Sequence, residues 1–447
     1  MIVHSLKVRK LYGYMNFDLE FHSDLNFLIG INGSGKTSVL NVIAWMLTPS
    51  LLKLTQLDFE EIQLVSSDEN NKRTIEARRK SRAVVLSIEG ISKSLEIPIF
   101  EYPEAASQER TTTTIQEMYE RFRVENRNHP ALVELDSMGP PLYLPLDRRW
   151  EVPDRMAERD IRWARSLQLA RYRTRGRTGG AIESVLYLAE RYYRERQFKV
   201  GQLGEKLREN LVEDIFGDVL LIGDLKIGKK MWSVSEVTRR RDTILAGLSQ
   251  AEIHVSEDVV NRLFDALEKM AKAGEKEPYS KKKLQPVYVE WAMNLPQVEK
   301  IERVIARMEA YNRERVELLR TIEDFTSTVN SFLCDTGKLI RFDPSGEIAV
   351  QIDGAHEIRA ESLSSGEAQL VILFAYLYFG FQPKKKFTVM IDEPELSLHL
   401  EWQHRYVDSV TKANPDAQFI FATHAPEIGQ GRGDRCIDLS GRGRKEC

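Results

Sequence analysis

Alternating apolar residues predict strands at both ends of the chain. The residues from Met15 to Phe21 alternate between apolar and polar, and a short apolar run follows at Leu25–Ile29. Both patterns are typical of strands. From Thr37 the apolar residues change to a helical spacing that stops before Pro49, and a polar loop is predicted at 66–73. Later segments with strand patterns lie at Ala83–Ile88, Leu95–Ile99, Leu142–Leu144, 338–352, Val389–Ile391 and Phe419–Ala422.

Helical spacing dominates the middle of the chain. Apolar residues recur every three to four positions from Ile301 to Val329, with charged residues on the opposite face. This pattern predicts an antiparallel helical arm or a short coiled coil. Further helices are predicted around Ile115–Val124 and Ile182–Ala189. The longest apolar run, Val371–Phe381, is shorter than the roughly 20 residues that span a bilayer, so it predicts a buried helix.

Composition excludes several classes of protein. Of the 447 residues, 42% are hydrophobic and 29% are charged, which is too apolar for a disordered chain. The length predicts two or three domains of about 150 residues. The three cysteines, Cys334, Cys436 and Cys447, show neither disulfide nor zinc spacing, and the N-terminus has no apolar leader. These features predict a cytoplasmic protein that does not bind a membrane.

The net charge of −3 argues against a chain that binds polyanions over its whole surface. One segment departs from this balance, because 14 basic and 8 acidic residues lie between Asp147 and Lys199. This basic insert, 148–199, could bind nucleic acid or an acidic partner. It could equally be a solvated helical face with local ion pairs.

Residues 30–37, Gly-Ile-Asn-Gly-Ser-Gly-Lys-Thr, match the GxxxxGK[ST] phosphate loop, with an apolar strand before them and a helix after them. Glycines let the backbone curl so that consecutive N–H groups point at phosphates. Lys36 would reach the β and γ phosphates, and the Thr37 hydroxyl would ligate Mg²⁺ at the N-terminus of the helix. The predicted nucleotide-binding residues of this loop are Asn32, Gly33, Ser34, Gly35, Lys36, Thr37 and Ser38.

A second acidic motif ends the apolar strand at 387–391, where Asp392 and Glu393 follow in sequence. A strand parallel to the one before the phosphate loop would place Asp392 near Thr37, where it could hold Mg²⁺. Glu393 would then polarise the water that attacks the γ-phosphate.

Two further turns carry polar residues next to apolar elements. Ser364, Gly366 and Glu367 open an apolar helix, whose N-terminus could bind phosphate. His424 follows the strand at Phe419–Ala422 and could sense the γ-phosphate. A lone histidine is more often structural, but this one lies beside the predicted carboxylate strand.

The order of these four motifs resembles the ABC-type ATPase heads of the SMC, RecF and OLD families, over residues 1–100 and 336–430. The resemblance implies an α/β fold, in which a P-loop ATPase head is split by a large, mainly helical insertion with a short coiled-coil arm. The implied parts are an N-terminal lobe at 1–100, the insertion at 101–335 and a C-terminal lobe at 336–447.

The resemblance also implies roles for the motif residues. ATP and Mg²⁺ would be sandwiched between heads of a homo-oligomer, a dimer or larger, with the signature of one subunit completing the site of another. Glu393 would be the catalytic carboxylate, and 395–399 would be the D-loop. The implied Walker A pair is Lys36 and Thr37, the Walker B pair Asp392 and Glu393, the switch histidine His424, and the signature Ser364, Gly366 and Glu367.

Some positions stay open under this resemblance. Tyr12 could stack on adenine or pack on the sheet as a loop tyrosine, and Arg148 and Arg149 could face the nucleotide or the signature turn. The Q-loop residue could be Gln56 or Gln63. Ala425 stands where the family often has serine.

The segments DEPELSLHLEWQ, THAPEI and YLPLDRR resemble prokaryotic anti-phage ATPases such as those of the Septu and PARIS systems. This implies an ATPase assembly that controls a separate nuclease or toxin effector. Only about 20 residues follow His424, far fewer than a domain requires, so we expect no TOPRIM nuclease domain of the kind that OLD proteins carry. An alternative is a DNA-repair or recombination ATPase of the RecF or SMC kind. A transporter subunit is disfavoured by the large insertion.

Overall fold

The computed structural model describes most of the chain as two compact units. The first unit comprises residues 1–190 and 324–447, and the second comprises residues 191–323. The described residues are 1–48, 50–68, 71–100, 108–138, 141–145, 179–216, 231–251, 253–276, 286–354, 356–380, 386–396, 398–425 and 427–440.

A six-stranded antiparallel sheet occupies the N-terminal part of the first unit, in the order β2-β1-β4-β5-β6-β7. In β2 every second residue is buried, the pattern expected of a strand with one face on the core. The strands are β1 (Ile2–Leu11), β2 (Met15–Glu20), β4 (Glu61–Asp68), β5 (Asn71–Arg79), β6 (Ala83–Ile88) and β7 (Leu95–Pro98).

A second sheet of the first unit is wholly parallel, in the order β14-β3-β13-β12-β8. Every residue of β12 and β13 is buried, which explains their continuous apolar sequences, since parallel strands are covered on both faces. The strands are β3 (Leu25–Ile29), β8 (Leu142–Leu144), β12 (Thr388–Asp392), β13 (Gln418–Thr423) and β14 (Cys436–Asp438).

A three-stranded antiparallel sheet and several helices complete the first unit. The strands are β9 (Lys338–Phe342), β10 (Ile348–Ile352) and β11 (His356–Arg359). The helices are α1 (Lys36–Leu47), α2 (Leu51–Gln56), α3 (Gln108–Glu125), α4 (Pro130–Met138), α9 (Ser365–Ala375) and α10 (Leu400–Ala413). The apolar run predicted as a buried helix lies in α9 and the π-helical turn Tyr376–Gly380. Its last residue, Phe381, lies outside the described residues.

The second unit is helical and has its own core. Its helices include α6 (Val234–Gln250) and α7 (Glu257–Lys276), and the division between the units falls within α5 (Gly179–Phe216) and α8 (Pro286–Leu333). Trp232 and Trp291 meet edge to face with ring centroids 5.8 Å apart, and the Arg240 guanidinium lies 4.1 Å from the Trp232 ring centroid. These aromatic contacts anchor a cluster that the three helices α6, α7 and α8 share.

The predicted strands at Ala83–Ile88 and Leu142–Leu144 are confirmed, but the polar loop predicted at 66–73 is wrong. Six of its residues extend β4 and β5, which pair from Glu61–Arg78 to Asp68–Asn71, because ladder hydrogen bonds continue past the last apolar side chain. Strand β8 pairs with β12, although the sequence places it in the insertion. Residues 301–329 lie in one continuous helix, α8, and the coiled-coil arm stays a prediction. Among the described helices, none combines the length and hydropathy needed to cross a bilayer.

A buried glutamine joins the two larger sheets. Gln418, at the start of β13, is fully buried. Its Oε1 accepts hydrogen bonds from the Val3 backbone N–H and the Thr388 hydroxyl, both at 2.8 Å. Its Nε2 donates to the Val3 carbonyl at 2.7 Å and to the His22 carbonyl at 2.8 Å. One amide therefore satisfies polar groups of β1, β12 and the chain before β3.

We predict that Gln418→Leu lowers the free energy of unfolding by about 3 kcal/mol, because it leaves several buried backbone groups unpaired. Urea denaturation measures the change. The matched control is Gln116→Leu in α3, where the side chain is exposed and bonds only Glu120 within its own helix. An equal loss of stability in both variants would contradict the role given to Gln418.

Candidate functional site

The parallel register brings three of the predicted motifs to one edge of the sheet. Ile29 of β3 pairs with Thr423 of β13, and Ala422 of β13 pairs with Asp392 of β12. The residues that follow these strands therefore leave the same edge. Neighbouring strands lie about 5 Å apart, so the phosphate loop, His424 and the Asp392–Glu393 pair are collected within a few strand spacings.

The loop after β3 has the backbone shape that a phosphate loop requires. Gly33 and Gly35 have φ of +81° and +96°, in the left-handed region that glycine adopts without strain. A Cβ on Gly35 would lie 2.7 Å from Phe17 Cζ, so β2 packs directly against the loop. The chain then enters α1 at Lys36, with no side-chain cap on its first N–H groups. These donors remain for a ligand.

The predicted loop residues differ in exposure. Asn32, Gly33 and Thr37 are exposed, whereas Lys36 is buried. The Lys36 ammonium donates to the Gly30 carbonyl at 2.7 Å and to the Ile31 carbonyl at 3.3 Å, so it lies across the curl of the loop. The Ser34 Oγ atom is buried and has no hydrogen-bond partner among the described residues. Ser38 is half-buried in the first turn of α1.

The two carboxylates after β12 occupy different surroundings. Asp392 is the last residue of the strand and is 1% exposed, whereas Glu393 lies beyond the strand and is half-buried. Glu393 also has φ of +44°, a left-handed conformation that costs a non-glycine residue about 1–2 kcal/mol. Its N–H donates to the Ala422 carbonyl at 2.8 Å, which fixes this strained residue beside β13.

His424 is exposed, and a buried glutamate holds it. Glu395 Oε1 accepts from the backbone N–H groups of His424 at 2.9 Å and Ala425 at 3.3 Å. The same oxygen lies 3.0 Å from Nδ1 of the His424 ring. The sequence placed Glu395 in the predicted D-loop and gave it no partner, because its partners are distant in sequence. Ser397 of that segment lies outside the described residues.

The signature turn is closed by a buried charge network. Ser364 and Glu367 form a capping box at the start of α9. The Glu367 carboxylate is 2% exposed and accepts from the Thr336 hydroxyl at 2.8 Å and the Lys338 ammonium at 2.9 Å. Burial acts to raise the pKa of Glu367. The hydrogen bonds from Lys338, Ser364 and Thr336 outweigh it and lower the pKa to about 2.

Nucleotide contact by the Glu367 carboxylate would have to break these bonds, so its predicted binding role remains a prediction. Ser364 is exposed and Gly366 is buried, so among the three predicted signature residues Ser364 has the accessible side chain. The contributions of Thr336 and Lys338 were missed by sequence reasoning. The only signal was a threonine just before the strand at 338–342 and a lysine as the first residue of that strand.

The remaining predicted residues have these positions. Tyr12 lies in the β1–β2 turn with φ of +52° and is 45% exposed, so its ring is accessible for stacking. Gln63 Nε2 donates to Glu76 at 3.2 Å within the antiparallel sheet, while Gln56 ends α2. Arg148, Arg149 and the basic insert as far as residue 178 lie outside the described residues.

Comparison with known proteins identifies the family. The profile described as "AAA domain, putative AbiEii toxin, Type IV TA system" matches residues 192–428, more than half of the chain. The chain belongs to this AAA ATPase family. A second profile, described as "AAA ATPase domain", matches residues 1–133 and includes the phosphate loop. The protein is thus an AAA ATPase whose mixed α/β unit is interrupted in sequence by a long helical insertion.

This AAA ATPase is also similar to one curated protein, the "Retron Vc95 probable ATPase" of Vibrio cholerae serotype O1 biovar El Tor. The two are 28% identical over 127 residues, covering 26% of this chain and 24% of that protein. The chain thus matches about a quarter of the length of its curated relative.

Similar solved structures are archaeal Smc head domains. One is from Pyrococcus furiosus and has an extended coiled coil bound to the C-terminal domain of ScpA. It is 13% identical, the match covers 99% of this chain and 94% of that chain, and the TM-score is 0.40. Another, with a coiled coil and joint, is from Pyrococcus yayanosii; it is 16% identical, covers 99% and 95%, and has a TM-score of 0.38. Scores this low carry no conclusion about function.

The Glu367 network predicts acid sensitivity of the head. Folding lowers the pKa of Glu367, so its ionised carboxylate stabilises the fold at pH values above the ordinary glutamate pKa. This stabilisation is lost as the pH falls toward 2. The amount is about 3 kcal/mol. In Glu367→Gln, the free energy of unfolding should therefore fall less steeply below about pH 5 than in the wild type.

Urea denaturation at a series of acidic pH values measures this slope. Glu361→Gln is the matched control, because Glu361 is exposed and lies on the preceding turn. Equal slopes for the wild type and Glu367→Gln would refute the stabilising role of the buried carboxylate.

Proposed function

We propose that this AAA ATPase hydrolyses ATP at the edge of its parallel sheet and, as an oligomer, controls a separate nuclease or toxin effector in anti-phage defence. One observation carries the ATPase site. The register of β3, β13 and β12 collects the phosphate loop, His424 and the Asp392–Glu393 pair at a single sheet edge. The family assignment supports the ATPase activity.

The loop after β3 would bind the phosphates of ATP. Its left-handed glycines and the uncapped start of α1 direct backbone N–H groups to one side. Lys36 would exchange its two carbonyl partners for the β and γ phosphates, and the unpaired hydroxyl of Ser34 is a further donor within the same loop. Tyr12 would stack on adenine.

The Thr37 hydroxyl and the Asp392 carboxylate are hard oxygen donors and fit Mg²⁺. The described residues contain no cluster of three or more histidines, cysteines or carboxylates that could hold a metal ion. The remaining ligands would be phosphate oxygens and water, as is usual for Mg²⁺ bound with a nucleotide. The ion would offset the charge that develops on the phosphates.

Glu393 is the better candidate for the residue that polarises water. A group with this role must reach solvent, and Glu393 is half-buried beyond the strand end, whereas Asp392 is almost fully buried within it. His424 is exposed on the neighbouring strand end, where it would contact the γ-phosphate. Ser364, on the exposed signature turn, would complete the site of a second subunit.

Three resemblances support the proposed role in defence and effector control. The family description names a toxin and a toxin–antitoxin system, and the curated relative is a retron ATPase. The motif segments also resemble ATPases of the Septu and PARIS systems. The toxin–antitoxin description supports an ATPase that acts with another protein, and the other two resemblances support a role in defence.

We predict that Lys36→Ala reduces ATP affinity at least 100-fold, because the variant loses the charge that meets two phosphates. Isothermal titration calorimetry with Mg²⁺ and ATP measures the affinity. Lys53→Ala in α2 is the control, since Lys53 is an exposed lysine on the next helix.

The variant Glu393→Gln should bind ATP normally and lose turnover, because it keeps the phosphate loop and removes the carboxylate that polarises water. Normal hydrolysis by Glu393→Gln would show that another group activates the water.

We predict that an effector co-purifies with the ATPase when the chain is expressed with its native neighbouring genes. Retention should be greatest for Glu393→Gln with ATP, because this variant would hold the closed oligomer, and it should be lowest for Lys36→Ala. Mass measurement of the purified complex gives its composition. Recovery of the ATPase alone from the whole operon would contradict effector control. Salt-sensitive, ATP-dependent DNA binding by Glu393→Gln, without an effector, would instead favour a DNA-repair ATPase.

A further inference from the structure

Glu395 is a buried carboxylate placed between two parts of the candidate site. Its side chain is 5% exposed, and its Oε1 oxygen meets three donors on the chain after β13. Two are the backbone N–H groups of His424 and Ala425. The third is Nδ1 of the His424 ring, 3.0 Å away. One oxygen therefore holds both the backbone and the ring of the same histidine.

The other oxygen of this carboxylate lowers the free energy of unfolding. Glu395 Oε2 is buried and has no hydrogen-bond partner among the described residues. Burying a carboxylate with one oxygen unsatisfied is unfavourable. Such groups in native structures usually serve a purpose other than packing. The three contacts of Oε1 indicate that this purpose concerns His424.

The contact fixes which ring nitrogen of His424 carries a proton. A carboxylate oxygen can only accept a hydrogen bond, so the Nδ1 atom that faces it must be the N–H. Nε2 is then the nitrogen left for other contacts. The His424 side chain is 50% exposed, so Nε2 is available to a ligand while Nδ1 is held within the protein.

Glu395 is also joined to the proposed water-polarising residue through one short turn. The Leu396 N–H donates to the Glu393 carbonyl at 3.1 Å, and the Leu398 N–H donates to the Glu395 carbonyl at 3.0 Å. The Glu393 N–H is itself bonded to the Ala422 carbonyl of β13. The turn at 393–396 thus carries both Glu393 and Glu395, the partner of His424, and hydrogen bonds hold its backbone against β13.

We propose that Glu395 is a positioning residue for ATP hydrolysis, which acts by orienting His424 so that Nε2 faces the γ-phosphate while Glu393 is presented from the same turn. This inference rests on the proposed function, because it requires ATP to bind at the sheet edge. It gives an individual role to Glu395, which the sequence placed only within the predicted D-loop. Glu395 itself does not touch the substrate.

A double-mutant cycle on the full chain tests the proposal. Glu395→Ala should lower kcat roughly 10- to 100-fold, as loss of a group that orients a functional histidine does elsewhere, with the KM for ATP little changed. In the His424→Ala background the same substitution should have almost no further effect. Glu395→Gln should recover much of kcat, because its amide oxygen can accept the same bonds. Glu401→Ala, an exposed glutamate in α10, is the control.

Equal losses of kcat from Glu395→Ala in the wild-type and His424→Ala backgrounds would overturn the proposal, as would a normal kcat for Glu395→Ala. These results differ from failure of the proposed function, in which the wild type itself would neither bind nor hydrolyse ATP. If Glu395→Ala does not fold, histidine-selective ¹⁵N NMR of the wild type decides. An Nδ1–H tautomer for His424, assigned with His424→Ala, supports the orientation, and an Nε2–H tautomer refutes it.

Discussion

Parallel pairing of β3, β13 and β12 is the constraint on which the candidate site depends. The side chains of a strand alternate between faces, so a slip of one residue would reverse the faces of Asp392 and its neighbours. Two features oppose such a slip. Every side chain of β12 and β13 is buried, and Gln418 bonds the start of β13 to Val3 and Thr388. The apolar core and one buried amide at the far end of the strands thus determine where the charged residues emerge.

Two buried glutamates of the first unit show how similar side chains can have different roles. Both oxygens of Glu367 are bonded, and a lysine ammonium compensates its charge. The result is a pKa of about 2 and a stabilised helix start. Glu395 has one bonded oxygen and no lysine or arginine partner within the described residues, and its ring contact is an exposed histidine. The first arrangement favours stability, whereas the second retains an energetic cost beside the proposed chemistry.

The sequence predicted those features that depend on residues close together in the chain. Glycine spacing and an adjacent lysine define the phosphate loop, and an apolar run ending in Asp392 and Glu393 defines the carboxylate strand. It did not predict the contacts of Glu395 with His424 or of Lys338 with Glu367, whose partners are 29 residues apart. Such pairs depend on strand order, which local patterns do not encode. The misassigned loop at 66–73 has a different cause. Its described residues pair with one another, from Ser66–Arg73 to Asp68–Asn71, and this polar hairpin end lacks the apolar alternation from which strands are predicted.

The left-handed backbone of Glu393 sets protein stability against chemistry at a single position. Glycine would relieve the conformational cost there, since it lacks the Cβ that crowds the backbone at positive φ. Selection for thermal stability alone would therefore favour Glu393→Gly, which removes the carboxylate. Under such a regime the fold would become more robust while its proposed reaction disappeared. If Glu393 polarises the water as proposed, the residue that turnover requires is also the one that carries this conformational cost.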